Sequence, residues 1–425
     1  MGTAGRDLSP TVASPLTGSW RLLGGLLYAA LGALTFLPPA ASSSWLASAA
    51  VRFAAEFGYV FMVPAILTLS PGWRRTAAGK FGVLLSIAAM FVLVRPTFSA
   101  IETGEALPDV FSTRFGADTR VRNRFADRAR AVPFLVTGLV NPVASRPVRY
   151  EQVSLTHPDG AELTLDIYHP SYLHDRIPVL LVLHGESWAG GIGRELVALN
   201  GYLAARDYVV VAMSSRLAAR RSFPSARADV LMTLEYIKTH ASELGADSAR
   251  LAILGRAVAG QLALHVAYTA ADPSIRGAIA LYAPTDLGRW YTSAGETVSP
   301  NTRAVLRDYL GGPLERAAQA YETASPITYV QRGTPPTLLV HGMRDGLIPS
   351  EHSERLAARL QEVGAQHLFV RLPWASHVCD QNFSGPCGQI TTYAVERFLD
   401  AVMRKPSASA KHAQSGPART PPASG

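Results

Sequence analysis

The chain has 425 residues, of which 48% are hydrophobic, and its mean hydropathy of +0.13 is high for a purely soluble protein. This length can hold one large domain and a further region. Lys and Arg exceed Asp and Glu by 8 (40 against 32). The excess is mainly arginine scattered along the chain, whereas a nucleic-acid-binding protein concentrates basic residues on one face. We therefore do not expect nucleic acid among the partners.

Apolar segments close to the N-terminus predict transmembrane helices. They lie at 22–37, 53–69 and 81–94, and a bilayer-spanning helix needs about 20 apolar residues. In the second segment Glu56 follows Arg52 by four positions, so the two charges share one helical face. A cleaved signal peptide would have one short apolar segment. We predict a tail at 1–19 and about three spans within 20–101; the alternative is a set of buried helices in a soluble domain.

The charges between these segments predict an orientation. Arg74, Arg75 and Lys80 separate the second segment from the third, whereas no basic residue lies between the first segment and Arg52. Positive loops stay in the cytoplasm. We therefore expect a multi-pass plasma-membrane protein whose later residues are extracytoplasmic. The Arg-rich linker at 102–147 is either solvated or an interfacial helix on anionic membrane lipid.

Residues 148–403 alternate between short apolar runs and helical stretches. Two runs joined by a turn at Pro158, Asp159 and Gly160 are typical of paired edge strands, and later runs are typical of strands buried on both faces. The predicted strands are 153–156, 163–168, 179–183, 208–212, 251–254, 278–281, 337–340 and 367–372. The clearest helix is 226–243, with Val230, Leu234 and Ile237 on one face. This alternation predicts an α/β fold with a mostly parallel, doubly covered sheet.

Two further parts of this region have no strand pattern. Residues 284–333 could form a cap over the C-terminal edge of the sheet, and residues 404–425 are rich in Ser, Ala, Pro and Lys. We expect the latter to be a disordered tail.

Polar motifs follow several predicted strands, at the edge where such sheets bind ligands. The first contains His184, Gly185 and Glu186. The second runs from Gly255 through Arg256, Ala257, Val258 and Ala259 to Gly260. The third places Asp345 shortly after one strand and His377 shortly after the last.

These motifs resemble those of the α/β-hydrolase family, in its carboxylesterase/lipase branch (the hormone-sensitive-lipase and feruloyl-esterase-like group). That group has an HGG-type oxyanion motif, a G-x-S-x-G nucleophile elbow, and then Asp and His in chain order. The resemblance covers about 150–401 and implies an α/β-hydrolase fold. It implies Asp345 as the orienting acid, His377 as the general base, and the backbone N–H groups of Gly185, Glu186 and Val258 as the oxyanion hole.

Two positions depart from the family pattern. Ala257 stands at the position of the nucleophilic serine, and a methyl group cannot attack an acyl carbon. Glu186 stands where the family has glycine, and its carboxylate would oppose the negative charge that develops in an oxyanion hole. Ser187, Ser376 and Cys379 are the candidates for a relocated nucleophile.

Three functions follow from this pattern. One is a catalytically impaired pseudo-hydrolase that binds an acyl or lipid-like ligand or a partner protein. Another is an active carboxylesterase in which His377 and Asp345 use water or a relocated nucleophile. The third is a structural membrane scaffold, whose cleft would be filled by Trp188, Trp290 or Trp374.

The two cysteines, Cys379 and Cys387, are eight positions apart. They form either a small disulfide loop, which implies an oxidising compartment, or two reduced thiols. No dinucleotide loop, P-loop or clustered metal-ligand motif is present in the sequence, so we expect neither a metal nor a cofactor. The sequence leaves the oligomeric state open.

Overall fold

A computed structural model describes residues 16–36, 45–116, 132–141, 147–157, 160, 162–172, 176–184, 196–214, 222–294 and 301–403. The predicted tail at 404–425 lies outside these ranges, as do residues 1–15. The arginines at 120–130 of the predicted linker also lie outside the described residues.

The N-terminal helices are α1 (Leu16–Leu34), α2 (Trp45–Phe57), α3 (Met62–Leu67) and α4 (Ala77–Phe115). Two described stretches, Ala49–Leu67 and Ala77–Phe115, are long and apolar enough to cross a membrane. They contain most of the second predicted segment and all of the third. The first predicted segment overlaps α1 and stays a prediction. Helices α1 and α4 approach closely, because a Cβ built on Gly25 would lie 2.4 Å from the carbonyl oxygen of Gly82.

Helix α4 is longer than the sequence predicts. The expected span ends at Val94 and the linker begins at 102, whereas α4 continues for 39 residues to Phe115, through Pro96 and Pro108. Its second half packs on the C-terminal helix α12 (Pro386–Val402). The Phe111 and Tyr393 rings are 6.4 Å apart, and those of Phe115 and Phe398 are 5.6 Å apart. The predicted linker is therefore helical up to residue 115.

The described residues after α4 contain one eight-stranded sheet, with the strand order β1-β2-β4-β3-β5-β6-β7-β8. Strand β2 pairs antiparallel with β1 and β4, and all other pairs are parallel. Each predicted strand is present. The strands are β1 (Val148–Thr156), β2 (Glu162–Pro170), β3 (Ile177–His184), β4 (Val209–Ser214), β5 (Ala246–Arg256), β6 (Ile275–Leu281), β7 (Thr337–Gly342) and β8 (His367–Leu372).

Helices cover both faces of this sheet, as predicted. Along β3, Leu181 and Leu183 face a core shared with α6 (Phe223–Thr239) and α7 (Ala257–Thr269). Leu180 and Val182 face a core shared with α5 (Val197–Ala204) and α12. The second core includes Leu107 and Phe111 of α4. The helices of this region are α5 (Val197–Ala204), α6 (Phe223–Thr239), α7 (Ala257–Thr269), α8 (Leu287–Ser293), α9 (Thr302–Leu310), α10 (Leu314–Ala324), α11 (Glu351–Glu362) and α12.

Residues 284–333 contain α8, α9 and α10 and no strand in their described part. These helices pack beside α7, where the Gln261 amide donates to the Ala324 carbonyl at 2.5 Å. The Tyr309 hydroxyl donates to the side-chain oxygen of Gln261 at 3.2 Å. A cap over the sheet edge stays a prediction.

Candidate active site

Ala257 lies at the tight turn between β5 and α7, at the carboxyl edge of the sheet. Its φ of 48° is in the left-handed region, which disfavours residues with a Cβ atom. A Cβ on Gly255 would lie 2.2 Å from the Ala259 carbonyl oxygen, and one on Gly260 would lie 2.7 Å from the Ala283 Cβ. Strand and helix therefore meet as closely as in a nucleophile elbow.

His377 and Asp345 lie in contact, as the sequence predicts. His377 Nδ1 is 2.7 Å from Asp345 Oδ2. The other oxygen of Asp345 accepts the N–H groups of Leu347 and Ile348, each at 2.9 Å. Because the carboxylate can only accept, it orients the ring so that Nδ1 carries the proton and Nε2 is left to act as a base. The Asp345 side chain is fully buried and that of His377 is 12% exposed.

A second histidine, His341, supports the same carboxylate. Its Nε2 lies 3.5 Å from Asp345 Oδ2 and 2.9 Å from the Ile348 carbonyl, and its Nδ1 lies 2.8 Å from the Ser353 hydroxyl. Burial alone would raise the pKa of Asp345, but the charges and hydrogen bonds of His377 and His341 bring it well below its usual value. Asp345 is therefore ionised at neutral pH.

Arg256, Tyr282 and Asp380 form a buried polar cluster beside this pair. The Arg256 guanidinium lies 3.0 Å from Asp380 Oδ1 and also contacts the Tyr282 hydroxyl. That hydroxyl donates to the same Asp380 oxygen at 2.6 Å. Burial raises the pKa of Tyr282 well above its usual value, so its proton is retained. The sequence reading missed this cluster, although an arginine within the elbow motif was a signal for it.

The cluster reaches His377 through Tyr282. The Tyr282 and His377 ring centroids are 4.9 Å apart, in an edge-to-face arrangement. Tyr282 has a φ of 42°, so its backbone is also in the left-handed region. Such strained positions concentrate at functional sites. The Tyr282 ring thus packs against the His377 ring.

The predicted oxyanion hole is described only in part. Gly185 and Glu186 lie outside the described residues. Val258 is the second residue of α7, within the first turn, where helix N–H groups have no partner inside the helix. His184 ends β3 and is 3% exposed. Burial and then the Arg256 charge lower its pKa to about 4, so His184 is neutral at pH 7.

The alternative nucleophiles are placed as follows. Ser187 lies outside the described residues. The Ser376 hydroxyl is buried and has no hydrogen-bond partner within the described part of the chain. Cys379 is joined to Cys387 in a disulfide, which confirms the oxidised alternative for this pair. Within the described ranges, His377 forms its hydrogen bond through Nδ1, and its Nε2 has no hydrogen bond to a hydroxyl or a thiol.

Glu56 lies beside this disulfide, and its carboxylate and the two sulfur atoms are within 4.8 Å of one another. The two sulfurs are bonded to each other, so they do not form a metal site in this state. Two of the tryptophans proposed to fill a cleft, Trp290 and Trp374, are buried. Trp188 lies outside the described residues.

Comparison with known proteins identifies the family. The BD-FAE family matches residues 165–360. The probable carboxylic ester hydrolase LipM of Mycobacterium tuberculosis is 29% identical over 53% of this chain and 54% of its own length. Esterase LipC of the same organism is 28% identical over 60% of this chain and 65% of its own length. These matches show that the chain resembles the α/β-hydrolase esterase family.

Solved esterase structures share the fold of this chain. A hyperthermophilic esterase from Pyrobaculum calidifontis superposes with a TM-score of 0.53 at 21% identity, covering 62% of this chain and 86% of that protein. The carboxylesterase EstE1, from a metagenomic library, gives 0.51 at 22% identity, covering 63% and 93%. The chain spans between about half and two thirds of the lengths of LipM and LipC.

Proposed function

We propose that the chain is a membrane-anchored, catalytically impaired esterase-like hydrolase that binds an acyl or lipid-like ligand without forming an acyl-enzyme. The observation that carries this proposal is Ala257 at the apex of the elbow, next to a complete Asp345–His377 pair. The base is present and oriented, but the atom that it would activate is missing. In a triad enzyme, loss of the nucleophile lowers kcat by roughly 10⁶-fold.

Membrane anchoring is supported by the two apolar helical stretches, Ala49–Leu67 and Ala77–Phe115. We place the connection that carries Arg74, Arg75 and Lys80 in the cytoplasm. The N-terminus is on the same side, because the predicted span in α1 precedes the two stretches. The hydrolase is then on the outer face of the plasma membrane. The disulfide between Cys379 and Cys387 supports that side, since disulfides persist in oxidising compartments.

A second candidate function is ester hydrolysis with water as the nucleophile. It is favoured by the intact Asp345–His377 pair, which can act as a general base. The names of LipM and LipC also favour it, since both relatives are called ester hydrolases or esterases. The two functions differ in whether His377 supports turnover in the natural chain.

The deciding experiment treats the detergent-solubilised full chain with a fluorophosphonate probe and, separately, with a p-nitrophenyl ester. We expect neither labelling nor turnover above the level of His377→Ala. Ala257→Ser places a hydroxyl at the elbow and should gain labelling that His377→Ala abolishes. The matched control is Ala270→Ser, at the opposite end of α7, which should not be labelled.

Two outcomes would overturn the pseudo-hydrolase proposal. Labelling of the natural chain that is lost on mutation of one Ser would show a relocated nucleophile. Turnover without labelling, abolished in His377→Ala, would establish the water route.

A further inference from the structure

A cavity of about 260 Å³ lies between the N-terminal helices and the loops that carry the Asp345–His377 pair. Helices α2 and α4 supply one wall, and Arg344, Pro373 and Trp374 supply the other. Arg344 directly precedes Asp345, and Trp374 is three residues before His377.

The charges that line this cavity are all positive. Arg95 and Arg344 line it from opposite walls, and no acidic residue is among the described lining residues. Burial, followed by repulsion from Arg95, lowers the pKa of Arg344. Both guanidinium groups therefore border the same cavity, where an anion would be attracted to each of them.

The rest of the lining divides into a polar and an apolar part. Ser99 adds a hydroxyl on the α4 wall, one turn after Arg95. Phe36, Pro373 and Trp374 add apolar surface. Guanidinium groups match phosphate oxygens with paired, charge-assisted hydrogen bonds. A phosphate monoester carries between one and a half and two negative charges at pH 7, roughly equal to the two arginine charges.

We infer that this cavity binds the phosphate group of a phosphorylated amphiphile, with Arg95 and Arg344 on the phosphate and the apolar wall on the adjoining chain. The inference rests on the proposed function, because it names the polar half of the lipid-like ligand. A lipid headgroup and free phosphate share this chemistry, and the experiment separates them. Because Arg344 and Trp374 belong to the loops that carry Asp345 and His377, the bound phosphate lies beside these two residues and outside the elbow.

Binding of dihexanoyl phosphatidic acid to the full chain in detergent, in phosphate-free buffer, tests the inference. Dihexanoylglycerol, which lacks the phosphate, is the ligand control. We expect the phosphatidic acid to bind and the diacylglycerol to bind at least tenfold more weakly. Arg95→Gln and Arg344→Gln should each weaken phosphatidic acid binding about tenfold or more, as expected for loss of a charge-assisted contact. Thermal unfolding of each variant verifies that it is folded.

Arg276→Gln is the matched control, because Arg276 is exposed at the start of β6, at the amino edge of the sheet. The affinity of this variant for phosphatidic acid should be the same as that of the natural chain. Competition by inorganic phosphate would assign the site to free phosphate, and its absence to the lipid headgroup; both support the site. Equal affinity for the two lipids, or an Arg95→Gln/Arg344→Gln double variant that binds like the natural chain, would overturn it. These results are independent of the labelling assay, so failure of the site and failure of the proposed function are distinguishable.

Discussion

Ala257 retains the backbone of a nucleophile elbow without the hydroxyl that such a turn normally presents. Its left-handed φ costs about 1 kcal/mol or more for a residue with a Cβ. The surrounding glycines keep the turn in place, because Gly255 and Gly260 leave room for backbone contacts that a Cβ would block. The turn is therefore maintained by packing between β5 and α7, whatever side chain stands at its apex.

Gly255→Ala should be among the most destabilising substitutions in the hydrolase. Its Cβ would lie 2.2 Å from a backbone oxygen of Ala259, which cannot move without displacing α7. We expect a loss of about 3 kcal/mol in the free energy of unfolding, at the upper end of the range for overpacking, because the atom in contact is a backbone oxygen. Chemical denaturation of the purified chain measures the change.

Gly288→Ala in α8 is the matched control for that substitution. The nearest atom to its new Cβ would be 3.7 Å away, an ordinary contact. Alanine is the better helix former by up to about 1 kcal/mol, so this variant should be as stable as the natural chain or slightly more stable. A Gly255→Ala chain that unfolds at the same denaturant concentration as Gly288→Ala would contradict the close packing described for the elbow.

The site could be predicted from the sequence where its residues follow strands in a fixed order. Asp345, His377 and Ala257 each lie within a short motif directly after a strand, so local pattern was sufficient. The Arg256–Asp380–Tyr282 cluster could not be found this way, because its members are 124 and 98 positions apart. Only the packed sheet brings these residues together.

At the scale of elements, His265 joins α7 to the helices of 284–333. Its Nε2 lies 3.0 Å from the Thr323 carbonyl, and its ring packs edge-on against Phe223 and Tyr329, at 4.7 and 5.2 Å. Burial and then the Arg227 charge lower the pKa of His265 to about 4, against an ordinary 6.5. The fold therefore favours the neutral ring.

This histidine should make the stability of the hydrolase depend on pH. Because the folded pKa is lower than the unfolded pKa, the stabilisation is complete above about pH 6.5 and is lost as the pH falls toward 4. A shift of this size corresponds to at most about 3 kcal/mol. We expect the Tm to fall over that interval, and to fall less steeply in His265→Gln, whose amide can still donate to Thr323. Parallel Tm curves for the two chains would refute this role.

The strands illustrate what periodicity can and cannot predict. All eight runs could be predicted because each is short, apolar or alternating, and bounded by turn residues, which are local properties. The length of α4 was missed, since Glu102, Glu105 and two prolines interrupt its apolar pattern. Its buried face, formed by Ala100, Leu107 and Phe111, is recognisable only when α12 is in place against it.

Helix α4 belongs both to the N-terminal helical region and to the domain that contains the sheet. Its 39 residues extend about 58 Å at 1.5 Å per residue, whereas the hydrocarbon core of a bilayer is about 30 Å thick. In the proposed arrangement the first half crosses the membrane and the second half completes a hydrolase core. Gln366 fixes the far end, because its side-chain amide donates to the Arg114 carbonyl at 2.8 Å.

Membrane fractionation with truncated chains tests this arrangement. The full chain should remain in the pellet after carbonate washing. A chain that begins at Thr97 should be soluble and monodisperse, because it keeps the part of α4 that covers α12. A chain that begins at Val148 should aggregate, because it exposes the apolar face formed by Ile390, Tyr393 and Phe398. Release of the full chain by carbonate, or a monodisperse Val148 chain, would contradict the shared role of α4.

The continuity of α4 through Pro96 has a geometric consequence. A domain joined to its anchor by a flexible linker would vary in its distance from the bilayer and in its tilt. A continuous helix shared by anchor and domain restricts both. In the proposed arrangement the cavity that Arg95 lines stays at the depth of the headgroups of the outer leaflet. A ligand would then reach the cavity by lateral diffusion within that leaflet. Its rate of encounter with the protein would depend on its surface density in the leaflet instead of its concentration in the surrounding water.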